Sequence, residues 1–129
     1  MNNKGFTLVE LLVSVALLAI ISLIITPTIM GVIKDNKIES CKKLFSSTEE
    51  AAKVYVSENR YGTIPGSIKA SELKNKGYLT NSTINQLTKT DISSNITVTI
   101  TFNTTTKKFK YETKYVSGGT TKKPEEYCQ

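Results

Sequence analysis

The sequence predicts an α+β chain: a long N-terminal α-helix, apolar in its first half and amphipathic in its second, packed on a small antiparallel β-sheet. Three observations carry that expectation. Residues 6–33 hold 20 apolar side chains in 28 positions, with Glu10 as the only charge. Ile38, Cys41, Phe45, Thr48, Ala52 and Tyr55 then recur at three- and four-residue spacing, which places them on one face of a helix. Toward the other end, Ile96, Val98, Ile100 and Phe102 alternate with threonines, and Phe109, Tyr111 and Tyr115 alternate with charged residues. Alternation of β-branched and aromatic residues with polar ones is the pattern of half-buried strands.

Composition narrows the function. The chain has 129 residues, a formal charge of +6, two Cys, no His and no Trp. That length accommodates one compact domain at most. Without histidine the commonest general base and the commonest metal ligand are both missing. No phosphate loop, nucleophile–base pair or paired catalytic carboxylate is readable, so neither catalysis nor a cofactor is expected, and two Cys are a poor basis for a metal site. The charges are segregated: residues 34–129 carry 26 of the 28.

The apolar block comes first. As a helix, 28 residues rise roughly 42 Å, more than the ~30 Å hydrocarbon core of a bilayer. A cleaved secretory signal has only about 7–15 apolar residues, and here Leu11–Ile25 is already that long. A transmembrane anchor fits the length but not Glu10, because a charge deep in a membrane costs on the order of 2.5–3.5 kcal/mol. Either Glu10 has a function there, or it lies at the membrane edge and reaches water. Pro27 removes a helical hydrogen bond and crowds the preceding turn, so a kink is expected near Pro27 and Gly31.

The start reads Lys4-Gly5-Phe6-Thr7-Leu8-Val9-Glu10 and runs straight into the apolar block. This string resembles the class III signal of type IV prepilins and pseudopilins: a short basic leader, a Gly–Phe junction and Glu at the fifth position after it. The resemblance covers Lys4 to about Ile33. It implies a type IV pilin-like fold and a leader, residues 1–5, removed by a membrane prepilin peptidase between Gly5 and Phe6, with methylation of the new Phe6 amine. Lys4 suits the cytoplasmic side by the positive-inside rule. It further implies that Glu10 pairs with the Phe6 amine of a neighbouring subunit when the apolar helices pack into a fibre. A carboxylate in a dry core is tolerable only when so paired.

The amphipathic half, 34–61, follows without a proline until Pro65, and Tyr61-Gly62 is a plausible end. A helix from Phe6 to Tyr61 would be roughly 80 Å long. Residues 62–129 form the small globular part. Within it Ser71–Gly77 reads as a short helix closed by glycine, with Tyr78-Leu79 as an apolar plug. The segment Pro65–Leu79 loosely resembles the loop after the long helix in small Gram-positive pilins and pseudopilins. Leu87–Ile92 is a weak strand or turn. Asn95–Asn103 and Phe109–Tyr115 form a hairpin, which is marginal alone and needs the Ile38–Tyr55 stripe to cover it. Residues 117–126, with Gly118-Gly119 and Lys122-Lys123-Pro124, read as an exposed tail.

Cys41 lies on the stripe and Cys128 is the penultimate residue. A disulfide between them would close a long loop in an oxidising exterior; alternatively Cys41 is a small buried hydrophobe and Cys128 is free. Lys107-Lys108-Phe109-Lys110-Tyr111 interleaves base with aromatic as polyanion binders do, although strand alternation accounts for every residue. With 17 Lys and Arg, of which Arg60 is the sole arginine, weak salt-sensitive contact with DNA or anionic cell-wall polymers is compatible with the charge. Asn-x-Ser/Thr triplets at Asn81, Asn95 and Asn103 are expected by chance in so Asn- and Thr-rich a chain.

The expected protein is therefore a structural subunit of a type IV pilus, major or minor. A pseudopilin of a competence or type II secretion-like system is the near alternative, and a single-pass membrane-anchored binding domain is the alternative of another kind. Its partners would be other copies and related pilins in a helical fibre, the prepilin peptidase and the membrane assembly platform protein. The precursor would sit in the cytoplasmic membrane with its C-terminus outside.

Overall fold

The computed structural model describes residues 5–129, except the side chains at 25–28. The chain divides after Asn36 into two compact units, through both of which the first helix runs. That helix, α1, spans Leu8–Glu58 and is 51 residues long.

In the first unit no described side chain of α1 is buried. Every described side chain from Phe6 to Ile24 and from Ile29 to Asn36 is exposed. The hydroxyls in this stretch return to the helix itself: Ser14 Oγ donates to the Glu10 carbonyl at 2.9 Å and Ser22 Oγ to the Leu18 carbonyl at 2.7 Å. Such back-bonding satisfies a polar side chain without solvent. The kink expected at Pro27 falls on a residue whose side chain lies outside those described. Gly31 is exposed, and a Cβ there would meet nothing within 4 Å, so close packing inside this chain does not demand its glycine.

In the second unit the stripe is the core-facing side of α1. Cys41, Phe45, Thr48 and Ala52 are buried, with Ala51 and Val56 beside them, while Ile38 and Tyr55 are half-buried at its ends. The helix stops at Glu58, before the expected Tyr61. Asn59 ends it: its side-chain amide donates to the Tyr55 carbonyl at 2.8 Å, and its own carbonyl accepts the Gly62 N–H at 2.9 Å. An asparagine competing locally for backbone groups is a recurrent helix breaker, and Tyr61 is fully exposed, with no packing to hold it in register.

A four-stranded antiparallel sheet covers the stripe. It comprises β1 (Ser67–Lys69), β4 (Ile96–Asn103), β5 (Lys108–Ser117) and β6 (Thr120–Lys122), in the order β1-β4-β5-β6. The hairpin β4–β5 pairs Ile96 with Tyr115 and Phe102 with Phe109. Ile96, Val98 and Ile100 point into the core and are buried, each worth about 1.5–3 kcal/mol of apolar transfer. Thr113 is the one buried residue of β5, and its hydroxyl donates to Glu49 Oε2 of α1 at 3.3 Å.

The connections differ more from expectation. The short helix α2 spans Ala70–Asn75 and closes in a Schellman motif: Tyr78 N–H donates to the Leu73 carbonyl at 2.9 Å and Gly77 N–H to the Lys74 carbonyl at 3.1 Å. Gly77 adopts φ +82°, and Leu79 is buried as the plug. The weak 87–92 segment resolves into a small ribbon, β2 (Ile84–Asn85) with β3 (Thr90–Asp91). Residues 117–126 are not simply a tail. Gly118 and Gly119, both with positive φ, turn the chain into β6, and Pro124–Tyr127 forms one helical turn, α3, entered through a Lys123 N–H bond to Glu126 Oε2 at 3.2 Å. The surface of β6 is exposed throughout, so nothing in an alternating-burial pattern could mark it.

What holds the end of the chain is Tyr127 and Cys128. The Tyr127 ring stacks on Tyr115 with centroids 4.0 Å apart and meets Phe45 edge-on at 6.0 Å. Its hydroxyl accepts a bond from the buried Asn85 amide at 3.2 Å. Cys128 is disulfide-bonded to Cys41, with Cα atoms 5.7 Å apart across 87 residues of sequence.

Candidate functional site

The first turn of α1 is built around two residues. The Thr7 hydroxyl accepts the Glu10 N–H at 3.3 Å, and Glu10 Oε2 accepts the Thr7 N–H at 3.2 Å. The Thr7 carbonyl takes the first helical bond, from Leu11 N–H at 3.1 Å. This is a capping box, in which a threonine before the helix and a glutamate three residues on satisfy each other's backbone donors. The carboxylate also lies where the positive end of the helix dipole favours it.

Two consequences follow from that local chemistry. Thr7 starts the helix, so Gly5 and Phe6 stand outside it in irregular, exposed backbone, and the Phe6 side chain is 89% exposed. The peptide bond between them is therefore not tied into helical hydrogen bonding. Secondly, Glu10 is held at the start of the apolar stretch by a threonine from the same chain. The sequence signal for this cap is Thr7-Leu8-Val9-Glu10, the ordinary T-x-x-E spacing, which the charge of Glu10 considered alone does not reveal.

The other singled-out residues lie elsewhere. Cys41 and Cys128 meet in the core of the second unit. Asn81, Asn95 and Asn103 all have structural partners. Asn81 amide donates to Ser47 Oγ at 3.5 Å, Asn95 amide donates to the Val116 carbonyl at 3.1 Å, and Asn103 Oδ1 accepts the Thr105 and Thr106 N–H groups at 2.9 and 3.0 Å. Of the basic–aromatic run, Lys108 and Lys110 are exposed, Phe109 and Tyr111 are half-buried, and Lys107 sits in the hairpin turn with φ +56°. Burial holds the Tyr111 hydroxyl above its ordinary pKa, with the Lys53 ammonium over its ring opposing that shift. Among the described residues no cluster of three or more His, Cys, Asp or Glu forms.

Also among the described residues, no single helix is long and apolar enough to cross a membrane. Leu8–Ile24 taken with Ile29–Glu58 does pass, by length and composition. No curated protein and no solved structure matches the chain. Residues 1–26 match the family model described as the prokaryotic N-terminal methylation motif. Those residues correspond to the class III prepilin signal of type IV pilins and pseudopilins, and the long helix packed on a small antiparallel sheet is an α+β arrangement consistent with a type IV pilin-like fold.

Proposed function

We propose that this protein is a subunit of a type IV pilus, made as a membrane precursor and polymerised through α1. The observation that carries the reading is the methylation motif coinciding with a helix start in which Gly5–Phe6 is exposed and Glu10 is fixed in the first turn. A peptidase needs its cut site exposed and free of helical hydrogen bonds, and the exposure of Gly5 and Phe6 ahead of the Thr7 cap supports a cut between them. Cutting there gives a new amine on Phe6, one residue before the cap, to be methylated. In the fibre the apolar side chains of one subunit's α1 pack against those of related subunits. Once the fibre has left the membrane, such packing keeps them from water, which would otherwise cost roughly 25 cal/mol per Å² of apolar surface wetted. Glu10 then exchanges its Thr7 N–H bond, or shares it, with the Phe6 amine of a neighbour, because a desolvated carboxylate left unpaired would be strongly penalised. Before assembly the same helix rests in the cytoplasmic membrane with the Lys37–Gln129 unit outside, and the assembly platform protein draws subunits from there.

The test is chemical. The full chain is co-expressed with a prepilin peptidase, an assembly platform protein and its ATPase. The mature N-terminus is read by sequencing and mass spectrometry, and fibres are sought by electron microscopy. N-methylated Phe6 together with fibres supports a pilus subunit. N-methylated Phe6 with short assemblies, formed only beside a secretion or uptake machinery, turns the reading to a pseudopilin. An intact Met1 overturns both and leaves a membrane-anchored binding domain.

A further inference from the structure

The far end of the hairpin β4–β5 is less well covered than its start. On the helix side of the sheet, Ile96, Val98 and Ile100 are covered, but Phe102, next on the same face, is 47% exposed. Its cross-strand partner is Phe109, with ring centroids 5.0 Å apart. This end of the sheet and the chain that follows α1, at Arg60 and Ile64–Gly66, together line an open cleft of about 890 Å³. Its floor is Phe102, Phe109 and Tyr111, and its cations are Arg60, Lys107 and Lys108; no Asp or Glu lines it. The ion pairs among the described residues are Lys53–Glu49 and Lys114–Glu112, so the three cations of the cleft are unneutralised. Lys107 takes φ +56°, where glycine would be unstrained.

We propose that this cleft binds a single strand of nucleic acid, with bases stacked on the Phe102–Phe109 floor and phosphates on Arg60, Lys107 and Lys108. The chemistry selects that occupant. Three cations outside any ion pair, in a cleft that no acid lines, call for repeated negative charge, and the exposed Phe102 beside half-buried Phe109 calls for flat rings between those charges. A polyol phosphate has the charge without the rings, and a duplex hides its ring faces in its own stack. Stacking on aromatic side chains beside a basic groove is how sequence-independent single-strand binders work. The inference concerns the Lys37–Gln129 unit alone and stands or falls independently of fibre assembly.

The full chain in non-ionic detergent is titrated into fluorescein-labelled dT12, with duplex of the same length and polyphosphate of equal charge as competitors. The expected order is dT12 tightest. Its log affinity should fall against log salt with a slope of about −2, from three phosphate contacts at roughly 0.7 each. Phe102→Ala should weaken dT12 binding roughly tenfold or more and leave polyphosphate binding unchanged. Phe102→Leu, which keeps apolar volume but no π face, should do the same and guards against loss of fold. Lys107→Gln with Lys108→Gln should weaken both ligands and flatten the slope to below about 1 in magnitude. If dT12 binds no better than polyphosphate or duplex, if Phe102→Leu binds dT12 like wild type, or if dT12 does not bind at all, the proposal is overturned.

Discussion

An alanine at position 10 removes the carboxylate and the acceptor of the Thr7 N–H together, whereas glutamine keeps an acceptor of nearly the same reach and discards only the charge. The two substitutions therefore separate capping from ion pairing. Glu10→Ala should fray the start of α1 and abolish fibres. Glu10→Gln should keep helix content by circular dichroism in detergent while fibre yield falls. Normal fibre yield from the glutamine variant would show that assembly does not read the charge. A second carboxylate, Asp91, acts within the other unit. The Ser93 N–H and the Thr83 hydroxyl, at 2.9 and 2.8 Å, hold its pKa below the ordinary carboxylate value. A carboxylate depressed in the folded state stabilises above its unfolded pKa near 3.9, and that stabilisation is lost as pH falls through the lower folded value. Asp91→Asn should thus lower the melting temperature at pH 7, and the gap from wild type should close in acid, below about pH 4. Asp91 is exposed, so solvent screening keeps the effect well under about 1 kcal/mol.

Elements with a repeating burial pattern were legible before any coordinates. The stripe from Cys41 to Ala52 and the alternation from Ile96 to Ile100 both announce a buried face, and both are buried. The helix ended by Gly77 was legible for another reason: glycine takes φ +82° without penalty, and the two Schellman bonds need that turn. Gly77→Ala should destabilise the Lys37–Gln129 unit by roughly 1–2 kcal/mol, read as a lower denaturation midpoint, even though a Cβ there would meet no neighbour within 4 Å. If the midpoint did not move, the strain argument would be wrong. By contrast β1 and β6 are three residues each, and β6 buries none of them. A strand held only by backbone pairing to a longer neighbour leaves no periodicity to read. Of the functional turn, the Gly5-Phe6…Glu10 string was visible as a motif. The capping role of Thr7 is written in the T-x-x-E spacing alone, a local backbone signal separate from the charge that makes Glu10 conspicuous.

At the scale of the chain, the two units rest on different physics. The described large apolar side chains of the first, from Phe6 to Ile33, are 47–89% exposed, so its stability must come from whatever surrounds it. The second has its own core, but a thin one: a single helix face against one sheet, in 93 residues from Lys37 to Gln129. Small cores of that kind are often reinforced covalently. Here the Cys41–Cys128 bond joins the first buried position of the helix stripe to the penultimate residue, across 87 residues, so it encloses almost all of the unit. In the chain-entropy account, cross-linking a loop of that order restricts the unfolded ensemble by up to about 4–5 kcal/mol, and measured values commonly fall at 2–4. The bond also keeps Tyr127 over Tyr115 and Phe45, and with it the partner of the buried Asn85 amide. Reduction should therefore do more than lower the midpoint. With Cys41→Ala and Cys128→Ala together, the denaturation midpoint of the full chain in detergent should drop by the equivalent of about 2–4 kcal/mol. Hydrogen exchange should rise first at β6, α3 and the β2–β3 ribbon, while the β4–β5 hairpin stays protected. Uniform loss of protection across the sheet would show instead that the unit opens as a single cooperative block, with no C-terminal section that the disulfide alone secures.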